Sequence, residues 1–347
     1  MLTRVGVFTM VSSLWPLDYE NRRASREGRI ASQQLKGRKV SLNVKIFLHS
    51  YLGFQSTSTL FYGERDAILI DASQLRSDTH RMVADIIPMR KNLTHIYASH
   101  FHPDHHFGLG VLQDAFPRAK IVALPSVVRD IAFTSGDKLD TWSIDRFGPD
   151  TPTQTTVPMP LHEPRLELEG QEILFSDDWE GDSINNSVVW VPSLRVLCAT
   201  DVAFEDWNVW FIESNVERRV KWRVALDRLK EFDARVVIPG HCSPEIMQIL
   251  ERVLAVATRE STSCIDWTRE YIDFYEGVYE TARSGTELVG RIRERYPHVR
   301  GNDFAVEWLA RLLFPSSCPD WFAPLPGRPG EIFLNPFGHY DGDPPRD

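Results

Sequence analysis

Positions 16 to 42 are mostly polar and charged, with a helical rhythm only across Tyr19 to Gln34. Residues 1 to 42 therefore read as an N-terminal extension that packs on the domain or on a second subunit. From Asn43 the period changes to two. Val44, Ile46 and Leu48 alternate with polar partners, and Thr57 to Tyr62 and Ala67 to Asp71 read as further strands joined by Gly63-Glu64-Arg65-Asp66. Leu69-Ile70-Asp71 is a buried strand ending in an acid. An amphipathic helix follows from about Asp78 to Met89, then an apolar run, Thr94 to Ser99. Gly108 to Phe116 is helical, Lys120 to Leu124 a short strand, and Pro125 to Phe133 a helix with proline in its first turn. Residues 134 to 165 carry little periodicity and many Gly, Pro and Thr. A loop that long inside a domain is usually functional, so it reads as a flap or rim beside a site.

Strand patterns return at Leu166 to Phe175, Ser187 to Val191, Leu194 to Ala199 and Arg235 to Pro239. Between the last two, Glu217 to Phe232 is a basic amphipathic helix, read as a solvated surface helix. From Pro244 the chain turns helical over 244–258, 264–283, 286–296 and 302–314, and the tail from Pro315 is irregular. Strands followed by helices, twice over, predict an α/β fold of sheet layers flanked by helix. The domain expectation is an extension over 1–42, a catalytic domain over 43–258, and a helical C-terminal region with its tail, 259–347, packed on that domain.

Composition narrows the class. The chain has 347 residues, 42% hydrophobic and 25% charged, ordinary for a globular protein able to bury a substantial core. Its net charge of −9 argues against a nucleic-acid or membrane-surface partner, which usually requires a basic face. No apolar stretch approaches the ~20 residues of a membrane span. The stretch Val5 to Val11 faintly resembles a secretory core but lacks a clear small-residue cleavage site. The four cysteines (Cys198, Cys242, Cys264, Cys318) form no C-x-x-C pair. A reducing, cytoplasmic setting is the expectation.

The chemistry concentrates in His100-Phe101-His102-Pro103-Asp104-His105-His106. Residues two apart at the end of a strand point the same way, so His100 and His102 can reach one ion. Past the proline the chain must turn, and Asp104 and His105 can serve a neighbouring ion. Imidazole with carboxylate suits zinc, iron or manganese. Three more candidates stand where strands give way to loops: Asp182 after Gly181, Asp201 after Thr200, and His241 after Gly240. Singly, each reads as a turn or core residue. Their order behind the histidine cluster is the signal.

That order resembles the metallo-β-lactamase-fold superfamily, whose hallmark is H-x-H-x-D-H after a strand, then a His-bearing loop, a strand-end Asp and a late Gly-His. The resemblance covers about residues 43 to 258. It implies a four-layer αββα sandwich with a dinuclear metal cleft at one edge. It also implies a first ion on His100, His102 and position 182, a second on Asp104, His105 and His241, and Asp201 bridging. Where most members carry histidine in the third loop, this chain has Asp182, taken here as the ligand; His162 would need a large loop excursion to replace it. Two divalent ions are expected, zinc first, with iron and manganese also suited to the carboxylate-rich set.

The implied chemistry is hydrolysis by hydroxide shared between the ions, with Asp104 both ligating and orienting the nucleophile. Cys242 reads as a small buried residue and not as a nucleophile. After Asp201, the run to Phe211 holds Trp207, Asn208 and Trp210. These are candidate substrate residues, the rings as flat apolar walls and Asn208 as a donor to an oxyanion; core packing is the competing reading of the rings. The Asp at the third loop, this aromatic run and the helical C-terminal region look similar to the fungal branch of the superfamily that opens lactam rings of defence compounds. The function expected is thus opening of a lactam or lactone in a small aromatic or apolar xenobiotic. Thioester hydrolysis, a mononuclear iron persulfide dioxygenase using His100, His102 and Asp201, and a nucleic-acid phosphodiesterase are the alternatives. The expected partner is a small-molecule substrate, and a homodimer is the expected assembly.

Overall fold

The computed structural model describes residues 41–142, 147–321, 339 and 341–346, and Ser41–Asp347 form one compact unit. All but the last two positions of the expected N-terminal extension, and most of the tail after Trp321, lie outside the described residues. The first sheet runs in chain order through β1 (Asn43–Leu48), β2 (Thr57–Tyr62), β3 (Asp66–Ile70), β4 (Asn92–Tyr97), β5 (Lys120–Ala123) and β6 (Met159–Pro160). β1 to β3 pair antiparallel; β3 to β6 pair parallel. Parallel neighbours need crossovers. These are α1 (Arg76–Ile86), then α2 (Pro103–His106) with α3 (Leu109–Ala115), then α4 (Pro125–Thr141).

The second sheet orders β11 (Val236–Cys242), β10 (Val196–Glu205), β9 (Asn186–Val191), β8 (Gln171–Trp179) and β7 (Arg165–Leu168). Only β10 and β11 are parallel, joined across α5 (Val216–Leu229). The run Leu166 to Phe175, expected as one strand, is a hairpin. Glu169 and Gly170 both take positive φ, 49° and 83°, as a two-residue turn matched to strand twist requires.

Period-two patterning sorts the core into layers. Adjacent residues Leu60 and Phe61, or Leu69 and Ile70, face opposite sides of the first sheet. Phe61, Ile70 and Tyr97 meet Ile173, Phe175, Val189 and Ile238 of the second sheet. Leu60, Leu69 and Ile96 pack outward on Met82, Leu112 and Ile131 of the helices. On the far side of the second sheet, Val188, Leu197 and Val237 share a core with Trp222 of α5. α7 (Ser263–Thr281), α8 (Gly285–Arg295) and α9 (Asp303–Leu313) join the same core. The result is the expected αββα sandwich, with α6 (Pro244–Leu254) burying Met247, Leu250 and Val253 in the layer between the sheets.

Two expectations fail for one physical reason. α4 does not stop at Phe133 but continues to Thr141, through what read as the start of a loop. Its buried face there is Thr134, Ser135 and Lys138, so no apolar stripe marks it. The two hydroxyls donate to the carbonyls of Asp130 and Ile131 one turn back. Similarly, α5 is not a solvated surface helix: Arg218, Arg219 and Trp222 are buried. Arg219 pairs with Glu276 at 3.1 Å and Asp343 at 2.9 Å and lies over the Phe211 and Tyr275 rings. In both helices a charge that reads as solvent-facing is buried against a partner distant in sequence. Among the described residues no helix is long and apolar enough to cross a membrane.

Candidate metal centre

β4 ends at Tyr97 and releases Ala98-Ser99-His100 toward the edge of the sandwich. His102 takes extended angles (φ −73°, ψ 140°) as the cap of α2, and Pro103 opens that short helix at a position where its missing N–H costs nothing. Asp104 and His105 are thereby turned to the second half of the site. Asp201 lies not after a strand, as expected, but inside β10, at an irregularity where pairing with β11 shifts register on both sides of Thr200. Thr200 has φ 48°, and this left-handed kink re-aims the next side chain.

The two glycines that precede ligand candidates are both pressed on that kink. A Cβ on Gly240 would lie 1.9 Å from Asp201 Oδ1, and one on Gly181 would lie 2.5 Å from the Asp201 carbonyl oxygen. Close backbone approach explains the Gly in both Gly181-Asp182 and Gly240-His241.

All seven candidates converge. Ligand atoms of His100, His102, Asp182 and Asp201 lie within 4.8 Å of one another, as do those of Asp104, His105 and His241, and all seven residues are buried. Asp201 stands between the groups. Its Oδ2 is 3.5 Å from His100 Nε2 and 3.3 Å from His241 Nε2, and its Oδ1 is 3.2 Å from His105 Nε2. His102 Nδ1 faces Asp182 Oδ2 at 2.9 Å, and His241 Nε2 faces Asp104 Oδ2 at 3.2 Å. His106 is buried but joins neither group, its Nε2 turned to the Phe101 carbonyl. His162 is exposed, leaving the third loop to Asp182.

The donor set fits divalent cations on two observations. First, His100 Nε2, His105 Nε2 and Asp201 Oδ1 are buried without a hydrogen-bond partner, an expensive arrangement unless something else occupies them. Second, the site is short of positive charge. Burial lowers an imidazole's proton affinity, yet Asp182 and Glu213 override it at His102 and raise the ring to about 10. At His241, Asp201 and Asp104 override burial and raise it to about 9. His105 is raised well above its ordinary value against the same burial by Asp201, Asp104 and Asp71. His100, which burial and His105 both oppose, goes down. Protons gather where cations would sit.

Each imidazole is also held from behind. His105 Nδ1 bonds Asp71 Oδ2 at 2.9 Å, and the same carboxylate accepts the Ser99 amide and hydroxyl, both at 2.7 Å. His241 Nδ1 bonds the Phe54 carbonyl at 2.7 Å. His102 Nε2 bonds Glu213 Oε2 at 2.6 Å, and Glu213 Oε1 accepts from Lys138 at 2.8 Å. The acid ending β3 was visible in sequence, but its role was not. Glu213, Lys138 and the Phe54 carbonyl carried no local signal.

The centre floors a narrow cleft walled by Phe54, Trp142, Trp207, Trp210 and Phe304. Trp207 and Trp210 are thus at the cleft, as expected, and Trp207 also stacks on the His241 ring, centroids 4.1 Å apart. Asn208 is not. Its amide donates to the Gly301 carbonyl at 2.8 Å and to Asp303, and accepts from Tyr271 at 2.7 Å, tying β10's exit loop to the C-terminal helices. With its hydrogen bonds committed there, it is no oxyanion donor. Phe211 likewise packs the core on Tyr275. Cys242 is buried, which pushes its thiol far up and leaves no thiolate to attack.

Residues 51–241 match the sequence model described as the metallo-beta-lactamase superfamily. No curated protein matches the chain. Similar solved structures include a metallo-beta-lactamase from Pontibacter korlensis, at 16% identity and TM-score 0.45, covering 68% of this chain and 99% of that one. The metallo-beta-lactamase IND-7 aligns at 18% identity and TM-score 0.46, covering 68% of this chain and 97% of its own.

Proposed function

The chain belongs to the metallo-beta-lactamase superfamily, and from that premise we propose that it is a dinuclear hydrolase opening a cyclic amide, with cyclic esters as sibling substrates. The observation that carries this reading is the convergence of seven buried ligand residues on the floor of an aromatic-walled cleft. Two divalent ions bound there would bring water's pKa toward ~7 and polarise a carbonyl, zinc being the expected metal with iron and manganese as alternatives.

The chain's own residues do the rest. Asp201 keeps its carboxylate ionised because three imidazoles outweigh its burial, so both oxygens stay available to the two halves. Asp104 is likewise held well below the usual carboxylate range by His105 and His241 against its burial. It can accept a hydrogen bond from the attacking water and orient it without taking up the proton for good. The rings of Trp142, Trp207, Trp210, Phe54 and Phe304 offer flat apolar faces, which supports a small ring-bearing substrate. The likeness to the fungal lactam-opening branch supports a xenobiotic lactam as the first substrate to try. The buried thiols of Cys198, Cys242 and Cys264 support a cytoplasmic setting.

A screen of aryl-fused lactams, lactones and thioesters against zinc-loaded protein tests the reading. Turnover of a lactam or lactone that chelation stops and zinc restores is the expected result. Turnover confined to thioesters would overturn the cyclic-substrate assignment.

A further inference from the structure

The half of the centre that departs from the common ligand pattern is also the half with an unforeseen support. His102 offers Nδ1 to the cluster of His100, Asp182 and Asp201 while its Nε2 meets Glu213 Oε2 at 2.6 Å. Glu213 is buried and fully committed: Oε2 also accepts from Trp210 Nε1 at 3.1 Å, and Oε1 from Lys138 Nζ at 2.8 Å. Lys138 is equally buried, its ammonium 5.3 Å from the centre of the Phe101 ring between the two histidines. A buried carboxylate and a buried ammonium are each costly alone, and each is retained here only against the other.

A neutral imidazole carries one proton, and the nitrogen that lacks it is the ligand. With an acceptor-only carboxylate at Nε2, the proton must sit there, leaving the Nδ1 lone pair for the cluster. The opposite tautomer would set a lone pair against the Glu213 carboxylate. The set of two imidazoles and two carboxylates is already rich in negative charge, and Glu213 adds to it; Lys138 cancels that addition.

We propose that Glu213, balanced by Lys138, is a positioning residue that fixes the His102 tautomer and sets the affinity of the first metal position independently of the second. The inference rests on the dinuclear reading and not on the substrate.

Zinc titrations against a chromophoric chelator test it in the wild type, Glu213→Gln, and Glu213→Gln with Lys138→Met, alongside melting temperatures. The wild type is expected to bind in two steps. Glu213→Gln should weaken one step about 10- to 100-fold, the range for lost outer partners of metal-bound histidine, and leave the other unchanged. It should also lower the melting temperature by stranding Lys138. Adding Lys138→Met should restore the melting temperature but not the affinity, separating positioning from general structural damage. In the zinc-loaded wild type, the His102 Nε2 proton should appear far downfield by NMR and be lost or shifted upfield in Glu213→Gln. Equal weakening of both steps, or none, overturns the inference. Absence of any zinc binding by the wild type overturns the dinuclear reading with it.

Discussion

His105 and His241, on one side of the centre, are each locked by a single acceptor: Asp71 for His105 and the Phe54 carbonyl for His241. His102, on the other side, is held by a chain of four buried groups, Lys138, Glu213, Trp210 and the imidazole itself. The first side gathers Asp104 with His105 and His241. The second gathers Asp182 with His100 and His102 and carries the additional charged pair. The contrast teaches that the substituted ligand and the altered support occur together. A group with more carboxylate in its inner set has one of its two histidines, His102, fixed by a neutralised carboxylate, so the added charge is compensated nearby.

The largest expected effect comes from the group both sides share. Asp201→Ala removes the carboxylate that faces His100, His105 and His241 together. Hydrolysis should fall by more than about 100-fold, beyond the range for an outer partner, while circular dichroism shows a folded chain. An active variant would remove Asp201 from between the two halves. Asp182→Ala is narrower: metal content should drop from about two ions per chain to about one, because only the side of His100 and His102 loses a ligand. Unchanged content would take Asp182 out of the ligand set and break the contrast.

The pH dependence of the metal-free protein comes next. His102 and His241 hold protons to about 10 and about 9 in the fold, against an ordinary 6.5. Protonated rings therefore stabilise the metal-free fold fully below pH 6.5, and that contribution is lost as pH rises through 9 to 10. Calorimetry should show the metal-free protein losing melting temperature over this window, and zinc raising it by a growing margin, since the ion replaces departing protons. The smallest effect belongs to the wall. Trp142→Ala should raise KM about 2- to 10-fold, the worth of one aromatic contact, with kcat nearly unchanged.

The candidate ligands were legible in sequence because each is announced locally. His100 to His105 follow an apolar strand, and Asp182 and His241 each follow a glycine that has to meet the Thr200–Asp201 kink. The sandwich was legible because period-two runs such as Ile46, Phe61 and Ile70 place their faces without long-range information. The supports were not. Lys138 and Glu213 are 75 residues apart, and Glu213 and His102 are 111 apart. Each alone reads as an ordinary surface charge. Lys138 was further hidden on a helix whose inner face is polar, and Asn208, chosen for its chemistry, is claimed by helices that no local pattern brings to it. Inner ligands are written in short motifs; what holds them is written in contacts between distant segments.

Elemental analysis of protein purified without chelator tests the central claim most directly. About two divalent ions per chain are expected, one for each side of Asp201. A chain that carries none, and takes up none when zinc or manganese is supplied, would contradict it.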